Sequence, residues 1–309
     1  MNRLMYTILL SIITLIVFPV FLSSQTCSCA GNPSFDPSGL SFDNENKWNL
    51  EFSYTLHSIN DLVSKDQEIV NDVNRRRTVK SFFLKTGYSI SSRFSISTIL
   101  SFIRQERRIG SNNNSFDRLN GIGDSMVAFS YSALKYSLSN PVKISVGSGI
   151  KIPTGSSQVL LTGLASEDMQ PGTGSWDLIF WGKISYRNML FRNSDLFLFG
   201  SFRKNGENSR EYSFGEESIL SSGILLYPHR KFSLSFEGRY IRKESDRRFI
   251  GDIPNTGGIW INLIPEISYK FTDSMGFKTR IEIPVYRNLN GTEQFTTSYL
   301  ISVSIFRQF

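Results

Sequence analysis

Cysteine and histidine are scarce in this chain, with two of each among 309 residues. Cys27 and Cys29 are separated by one serine, and two thiolates at that spacing suit a soft metal ion such as Cu(I). A lipid-modified cysteine, a redox pair and a pair of inert thiols are the alternatives. The sequence near them offers no histidine and no second cysteine pair, so a tetrahedral zinc site is not supported.

Catalysis by histidine requires the ring to lie within hydrogen-bond reach of a nucleophile. We expect His57 near one end of a strand and His229 in a turn at the opposite end, so the two cannot share a site. No P-loop or HExxH spacing occurs, and the Gly-Ile-Gly-Asp segment at 121–124 is too short for a nucleotide-binding fingerprint. The sequence therefore predicts a protein that is not an enzyme and that needs no cofactor.

The composition favours β-structure. Aromatic residues make up 13% of the chain, with 25 Phe among them, and their alternation with Ser and Ile suits a pleated sheet. The net charge is +7. Because the basic residues are scattered rather than gathered in one patch, nucleic acid is not an expected partner.

The first 25 residues have the features of a cleaved secretory signal peptide. Arg3 precedes an apolar run over 6–22, and small residues follow near Ser24. A retained transmembrane anchor is the alternative, but the run is short for a span and lacks a basic flank after it. We divide the chain into a signal peptide (1–25), an N-terminal periplasmic segment with the Cys-x-Cys pair (26–47) and a β-domain (48–309).

Within the β-domain, apolar residues recur at every second position over stretches of nine to thirteen residues, which predicts strands. Twelve strands are expected, at about 48–57, 79–90, 93–105, 122–136, 141–151, 175–187, 195–204, 215–227, 231–243, 258–271, 275–286 and 296–308. Short connections alternate with longer polar ones, such as 58–78 and 106–121. This asymmetry is typical of a transmembrane antiparallel up-and-down β-barrel, whereas a soluble sandwich has no reason for it.

We therefore expect a barrel in the outer membrane of a Gram-negative-type bacterium, in contact with membrane lipid and with both termini in the periplasm. The last strand alternates through Tyr299, Ile301, Val303 and Ile305 and ends on Phe309. This resembles the C-terminal signal that the barrel-assembly machinery recognises, so that machinery is an expected partner.

The alternate register of the strands predicts which polar side chains face the lumen. The candidates for a solute path are Lys151, Asp177, Trp181, Lys183, Glu237, Arg239, Trp260, Glu266, Lys278, Arg280 and Glu282. Arg239, Lys278 and Arg280 could form a cationic constriction for anionic or polar solutes. Alternatively they pair with Glu237, Glu266 and Glu282, because buried charge is costly unless it is paired.

Three segments resemble a known family when taken together: 121–124 at a strand start, Lys151-Ile152-Pro153-Thr154-Gly155 at a strand end, and 169–177 (MQPGTGSWD) leading into the next strand. This ordered set resembles the outer-membrane β-barrel transporters grouped with the MetA-pathway phenol-degradation family. The resemblance implies a transporter whose substrates include hydrophobic aromatic compounds. In physical terms, Gly172 and Gly174 are expected to allow positive φ in a tight return, and Lys151 and Asp177 are expected to pair near one rim.

Two functions fit these features. The first is a channel or transporter for small molecules, hydrophobic or aromatic ones among them. The second is a closed structural or surface-binding barrel without transport.

Overall fold

The computed structural model describes residues 47–71, 74–110, 115–159, 166–249 and 251–309. Twelve long antiparallel strands form a closed barrel, which confirms the predicted fold. The strands are β1 (Trp48–Ser64), β2 (Arg76–Ser89), β3 (Phe94–Ile109), β4 (Ser125–Leu134), β5 (Val142–Ile152), β6 (Asp177–Arg187), β7 (Ser194–Asn205), β8 (Glu217–His229), β9 (Phe232–Lys243), β10 (Gly258–Lys270), β11 (Met275–Leu289) and β12 (Gln294–Gln308).

Each strand pairs with its neighbours in chain order, and β12 closes the ring against β1. Asn49 pairs with Gln308 and Leu56 with Ile301 in that last ladder. Two segments pair in succession with the same edge of β3. β4 pairs with its first part, and the segment Ser115–Ile122 pairs with its remainder, beyond the end of β4. Pairing is interrupted only at 123–124, where the chain steps between the two segments.

The two rims of the barrel differ. At one rim the strands are joined by short turns, such as 90–93 and 271–274, and the N-terminal end of β1 and the C-terminal end of β12 lie there. We call this the short-turn rim. The opposite rim, the long-loop rim, carries the connections 65–75, 110–124, 153–176, 206–216, 244–257 and 290–293.

Several strands extend further at the long-loop rim than the apolar alternation predicts. β1 continues to Ser64 instead of residue 57, β3 continues to Ile109, and the last connection is only 290–293. Alternation of apolar and polar residues indicates a strand only where one face of the sheet is apolar. Hydrogen bonding between the strand backbones does not require an apolar face. The end of β3 is mostly polar on both faces, and in β1 two register shifts between Ser58 and Asp61 break the alternation. The ladder therefore continues in both strands without a pattern that the sequence reveals.

Shorter elements occupy the long loops. Gln67–Ile69 pairs with the end of β1, and Tyr212–Ser213, Arg247–Arg248 and Gly251–Asp252 form a small three-stranded sheet. One turn of 3-10 helix spans Glu167–Met169. Within the described ranges, no helix is long and apolar enough to cross a membrane.

Large apolar side chains stand exposed on the outer face of the barrel. They include Phe52, Phe82, Leu100, Phe102, Phe129, Phe180, Leu198, Leu220, Leu263 and Val303. The intervening residues of the same strands point inward and are mostly polar or charged. Such an inverted distribution is stable only when hydrocarbon surrounds the outer face.

The interior has two parts. Toward the long-loop rim, inward side chains are almost completely buried, among them Ile59, Arg77, Val79, Ile103, Gln105, Lys151, Asp177, Ile179, Trp260, Arg287 and Leu289. Toward the short-turn rim, some inward side chains such as Glu51, Lys143 and Ser185 are also buried. Others are only half-buried, among them Phe83, Lys85, Ser145, Trp181, Lys183, Phe197, Ser235, Glu266, Lys278 and Arg280. We call these parts the filled half and the open half.

Candidate functional site

A buried ionic cluster lies where β4, β5 and β6 reach the long-loop rim. The Nζ atom of Lys151 lies 2.6 Å from Oδ2 of Asp177 and 3.2 Å from Oδ2 of Asp124, and none of the three side chains has exposed area. The expected pair between Lys151 and Asp177 is therefore present. Asp124 joins it as a second acid, because the step in the chain at 123–124 turns its side chain inward.

Asp124 also fixes the connection 153–176. Its Oδ1 accepts a hydrogen bond from the backbone N–H of Gly155 at 3.1 Å. Its Oδ2 accepts bonds from the backbone N–H of Thr173 at 2.9 Å and from Oγ1 of the same residue at 2.6 Å. A carboxylate with several donors is well compensated for burial. The three segments that carried the family resemblance therefore form one interlocked structure.

Two glycines allow this interlocking by their lack of a side chain. A Cβ on Gly172 would lie 2.7 Å from the backbone of Gly155 and 2.8 Å from Oδ1 of Asp124. The predicted positive φ is found at Gly174, where φ is +75°, but Gly172 is not among the glycines with positive φ. Close packing, not backbone conformation, therefore explains the glycine at position 172.

The 3-10 turn of the same connection is anchored to β2 and β3. Nη1 of Arg77 donates to Oδ2 of Asp168 at 2.7 Å, and its Nε donates to Oε1 of Gln105 at 3.0 Å. Nε2 of Gln105 in turn donates to the backbone oxygen of Met169 at 3.1 Å. Burial raises the pKa of Asp168. The charge of Arg77, with smaller contributions from Ser166 and Arg75, nevertheless brings this pKa below its ordinary value of 3.8.

The neighbouring residue contacts the other side of the barrel. Glu167 accepts a hydrogen bond from Nη2 of Arg248 at 3.0 Å and forms a second, short ion pair with Arg210. Nδ2 of Asn208 lies 3.5 Å from Oε2 of Glu167. Burial raises the pKa of Glu167 despite Arg210 and Arg248.

These contacts make residues 166–170 a strut across the mouth of the barrel. β2 and β3 lie on one side of the ring, whereas the connections after β7 and β9, which hold Arg210 and Arg248, lie on the other. Consecutive side chains of the strut therefore bind opposite walls. Met169 has no exposed area and packs with Leu119 and Val159, so the strut fills the space that it crosses.

In the open half, β9 to β11 contribute a network of paired charges. Nη2 of Arg239 lies 2.7 Å from Oε1 of Glu237, and Nη1 lies 3.4 Å from Oε2 of Glu282. Glu282 also accepts a hydrogen bond from Nδ2 of Asn262 at 2.6 Å. Nη2 of Arg280 lies 3.9 Å from Oε2 of Glu237. Arg239 is therefore neutralised by the acids that were considered as its partners.

Lys278 has a partner that the sequence did not indicate. Its Nζ lies 2.8 Å from Oε2 of Glu51, and Nζ of Lys85 lies 3.2 Å from Oε1 of the same carboxylate. Glu51 comes from β1, which meets β11 only through β12, so strand order gave no hint of this contact. Together the paired charges of β1, β2 and β9–β11 form what we call the ionic wall.

The interior faces of β2 to β7 also carry apolar and aromatic side chains, interspersed with polar ones such as Lys143 and Ser185. Phe83 and Trp181 pack against a buried cluster of Ile99, Met126, Ala128 and Ile179. Phe197 and Phe199 point inward from β7, and Nζ of Lys183 lies 4.7 Å from the ring centroid of Phe197. We call the set Trp181, Phe197 and Phe199 on β6 and β7, across the ring from β1 and β12, the aromatic wall.

Other candidates from the sequence have different surroundings. Trp260 has no exposed area and packs with Val63 and Leu289. Glu266 is half-buried and pairs in register with Arg280. His57 is not near the end of its strand, because β1 continues to Ser64; it is buried, with Nε2 2.5 Å from Oγ1 of Thr297. Cys27 and Cys29 lie outside the described residues.

The sequence of residues 57–299 matches the family described as "Putative MetA-pathway of phenol degradation". The chain belongs to this family. The match spans β2 to β11 and the adjoining parts of β1 and β12. The interlocked segments, the aromatic wall and the strut therefore lie within the matched region, whereas Glu51 of the ionic wall precedes it. A search of curated proteins finds no match to the chain.

Solved structures share the fold at low sequence identity. An outer membrane channel from Pseudomonas putida F1 is 9% identical, with a TM-score of 0.71 over 89% of this chain and 100% of that one. The β-domain of the Bordetella autotransporter BrkA is 8% identical, with a TM-score of 0.51 over 86% and 100%. The translocator domain of the autotransporter NalP from Neisseria meningitidis is 8% identical, with a TM-score of 0.50 over 88% and 91%.

Proposed function

We propose that this member of the MetA-pathway family is an outer-membrane channel for small amphipathic molecules that carry an aromatic ring. The observation that carries this proposal is the open half of the barrel, where an aromatic wall faces an ionic wall. A solute with a ring and a charged or polar group can contact both walls at once. A barrel that served only as a scaffold would have no need of half-buried Phe and Lys side chains in its interior.

The proposed location follows from the apolar outer face and the predicted signal peptide at 1–25. Short turns at the periplasmic side and long loops at the outer side are the usual arrangement of such barrels. This orientation puts the strut at the outer mouth and both termini in the periplasm. Phe309 would then end the strand by which the barrel-assembly machinery recognises the chain.

The strut makes the proposed channel a gated one. With residues 166–170 bound to both sides of the ring, the filled half blocks passage. Release of one anchor would free the strut from one wall, while the cluster around Lys151 and Asp124 still holds its base. Opening therefore requires the polar contacts of Glu167 or Asp168 to exchange with water. Met169 must also leave the apolar packing of its docked position.

The aromatic wall is tested by solute entry into liposomes. We expect benzoate to enter liposomes that contain the protein faster than a carboxylate of similar size without a ring. Phe197→Ala should slow benzoate entry severalfold. The matched control is Phe202→Ala on the same strand, because its ring faces outward and is 40% exposed; equal slowing in both variants would contradict the proposal.

The alternative is a closed barrel with a structural or surface-binding role, and the filled half favours it. The two functions differ in one outcome. If no solute enters even when Asp168→Asn releases the strut, the barrel is permanently closed, and its loops become the candidate binding surface. Under either function we expect no catalytic activity, and the proposals for Cys27 and Cys29 are tested by copper titration of Cys27→Ser against the unaltered protein.

A further inference from the structure

The outer face of β2, β3 and the segment Ser115–Ile122 carries an unusual concentration of positive charge near the long-loop rim. The pairing registers place outward residues of the three segments in rows. Phe82, Phe102 and Ile122 form an exposed apolar row. The next rows toward the rim are Lys80, Arg104 and Asn120, then Thr78, Glu106 and Arg118, then Arg76, Arg108 and Phe116.

These three rows, which we call the basic outer patch, hold five cations and one acid. Glu106 contacts two of the cations, at 2.9 Å from Nη2 of Arg104 and 3.2 Å from Nε of Arg118. The side chains of Arg104 and Arg118 are 40% and 48% exposed. One carboxylate cannot neutralise five cations, so the patch keeps a strong positive potential.

The cations of the patch lie close enough to repel one another, so the excess charge destabilises the protein when no anion is bound. Lys80 pairs directly with Arg104, and Arg76 pairs directly with Arg108. Like charges directly opposite each other on neighbouring strands repel. A ligand with negative charge that bridges each pair would turn this repulsion into attraction.

We propose that the basic outer patch binds the phosphate groups of an anionic lipid of the outer leaflet. Continuity with the apolar row decides the occupant: a lipid can place its acyl chains along Phe82, Phe102 and Ile122 while its phosphates reach Lys80 and Arg104. Phe116 lies 5.1 Å from the guanidinium carbon of Arg118, so the patch also offers a ring to a sugar headgroup. This inference rests on the proposed outward orientation of the long-loop rim.

The test is a titration of the purified full-length protein in detergent with diphosphoryl lipid A, followed by native mass spectrometry. Each cation at an anionic lipid surface contributes about fivefold in affinity, so Lys80→Gln/Arg104→Gln should bind about 25-fold more weakly. The matched control is Lys204→Gln/Arg242→Gln, which removes two outward cations of the same rim on the other side of the barrel. Lys80→Arg/Arg104→Lys keeps the charges and should retain binding.

Two outcomes would overturn the proposal. In the first, the Lys80/Arg104 and Lys204/Arg242 variants bind lipid A equally. In the second, inorganic phosphate at the same concentration displaces the lipid, which would identify a site for the free anion instead. Conductance separates this inference from the proposed function, because Lys80→Gln/Arg104→Gln leaves the lumen unchanged and should conduct as the unaltered protein does.

Discussion

Asp168→Asn is the substitution that addresses the strut most directly. Arg77 has only 2% of its side chain exposed, and its ion pair with Asp168 at 2.7 Å is the one it forms among the residues that the structure describes. Arg75 at 3.9 Å is a second cation on the same carboxylate. The asparagine keeps the shape and one acceptor oxygen but removes the charge. Hydrogen bonds to charged groups are worth about 1.5–3 kcal/mol, so we expect the docked strut to lose about 2 kcal/mol.

A loss of this size changes the ratio of released to docked strut by about 30-fold. The barrel itself should remain folded, because Gln105 still accepts from Arg77 and the cluster around Lys151 is untouched. Single-channel recording in planar bilayers measures the change as a higher open probability. The unaltered protein should open rarely.

The control for this experiment is Asp252→Asn, which makes the same chemical change in an exposed pair with Arg247 at 3.0 Å. It should behave as the unaltered protein does. If Asp168→Asn conducts no more often than Asp252→Asn, the strut does not control passage, and the reasoning from its two anchors is refuted.

Three further predictions concern the same elements. Gly172→Ala should destabilise the folded barrel by about 1–3 kcal/mol through overpacking. On gels, its folded band should convert to the unfolded band at a lower temperature, whereas Gly238→Ala, whose Cβ would meet nothing closer than 4.0 Å, should convert as the unaltered protein does. Because the pKa of Asp168 is lowered below 3.8, its contribution to docking is complete above that value and is lost as pH falls through the lowered pKa. The difference in open probability between Asp168→Asn and the unaltered protein should therefore stay constant from pH 7 to about 4 and shrink only below, because the titration of Glu167 is common to both proteins. Deletion of Phe309 should reduce the amount of assembled barrel in outer membranes, measured by heat-modified mobility, and an unchanged amount would remove the assembly signal from the account.

Much of the barrel could be predicted because its physics is local. Alternation of apolar and polar residues revealed the strands wherever one face meets hydrocarbon, and the pair of Lys151 and Asp177 followed from their register. The protruding hairpins could not be predicted in the same way, since the end of β3 is mostly polar on both faces and register shifts after Ser58 break the alternation in β1. A register shift in β11 near Pro284 also turns Arg287 inward and Tyr286 outward, where strict alternation from Phe277 predicts the reverse.

The strut was beyond the reach of the sequence for a different reason. Glu167 and Asp168 belong to a polar connection, and their partners Arg77, Arg210 and Arg248 come from distant parts of the chain. The periodic alternation of apolar residues contains no information about such contacts between distant parts of the chain. The motif at 169–177 did indicate a special structure, but its role as an anchor for the inward connection depends on Asp124, whose side chain direction only the chain step at 123–124 determines.

We propose that aromatic amphipathic solutes pass through this barrel. The decisive experiment measures the entry of ionised benzoate into liposomes that contain the unaltered protein, liposomes that contain Asp168→Asn, and protein-free liposomes. We predict entry above the protein-free rate for the unaltered protein and a clear further increase for Asp168→Asn. Entry at the protein-free rate in both proteins, with the barrel folded, would contradict it.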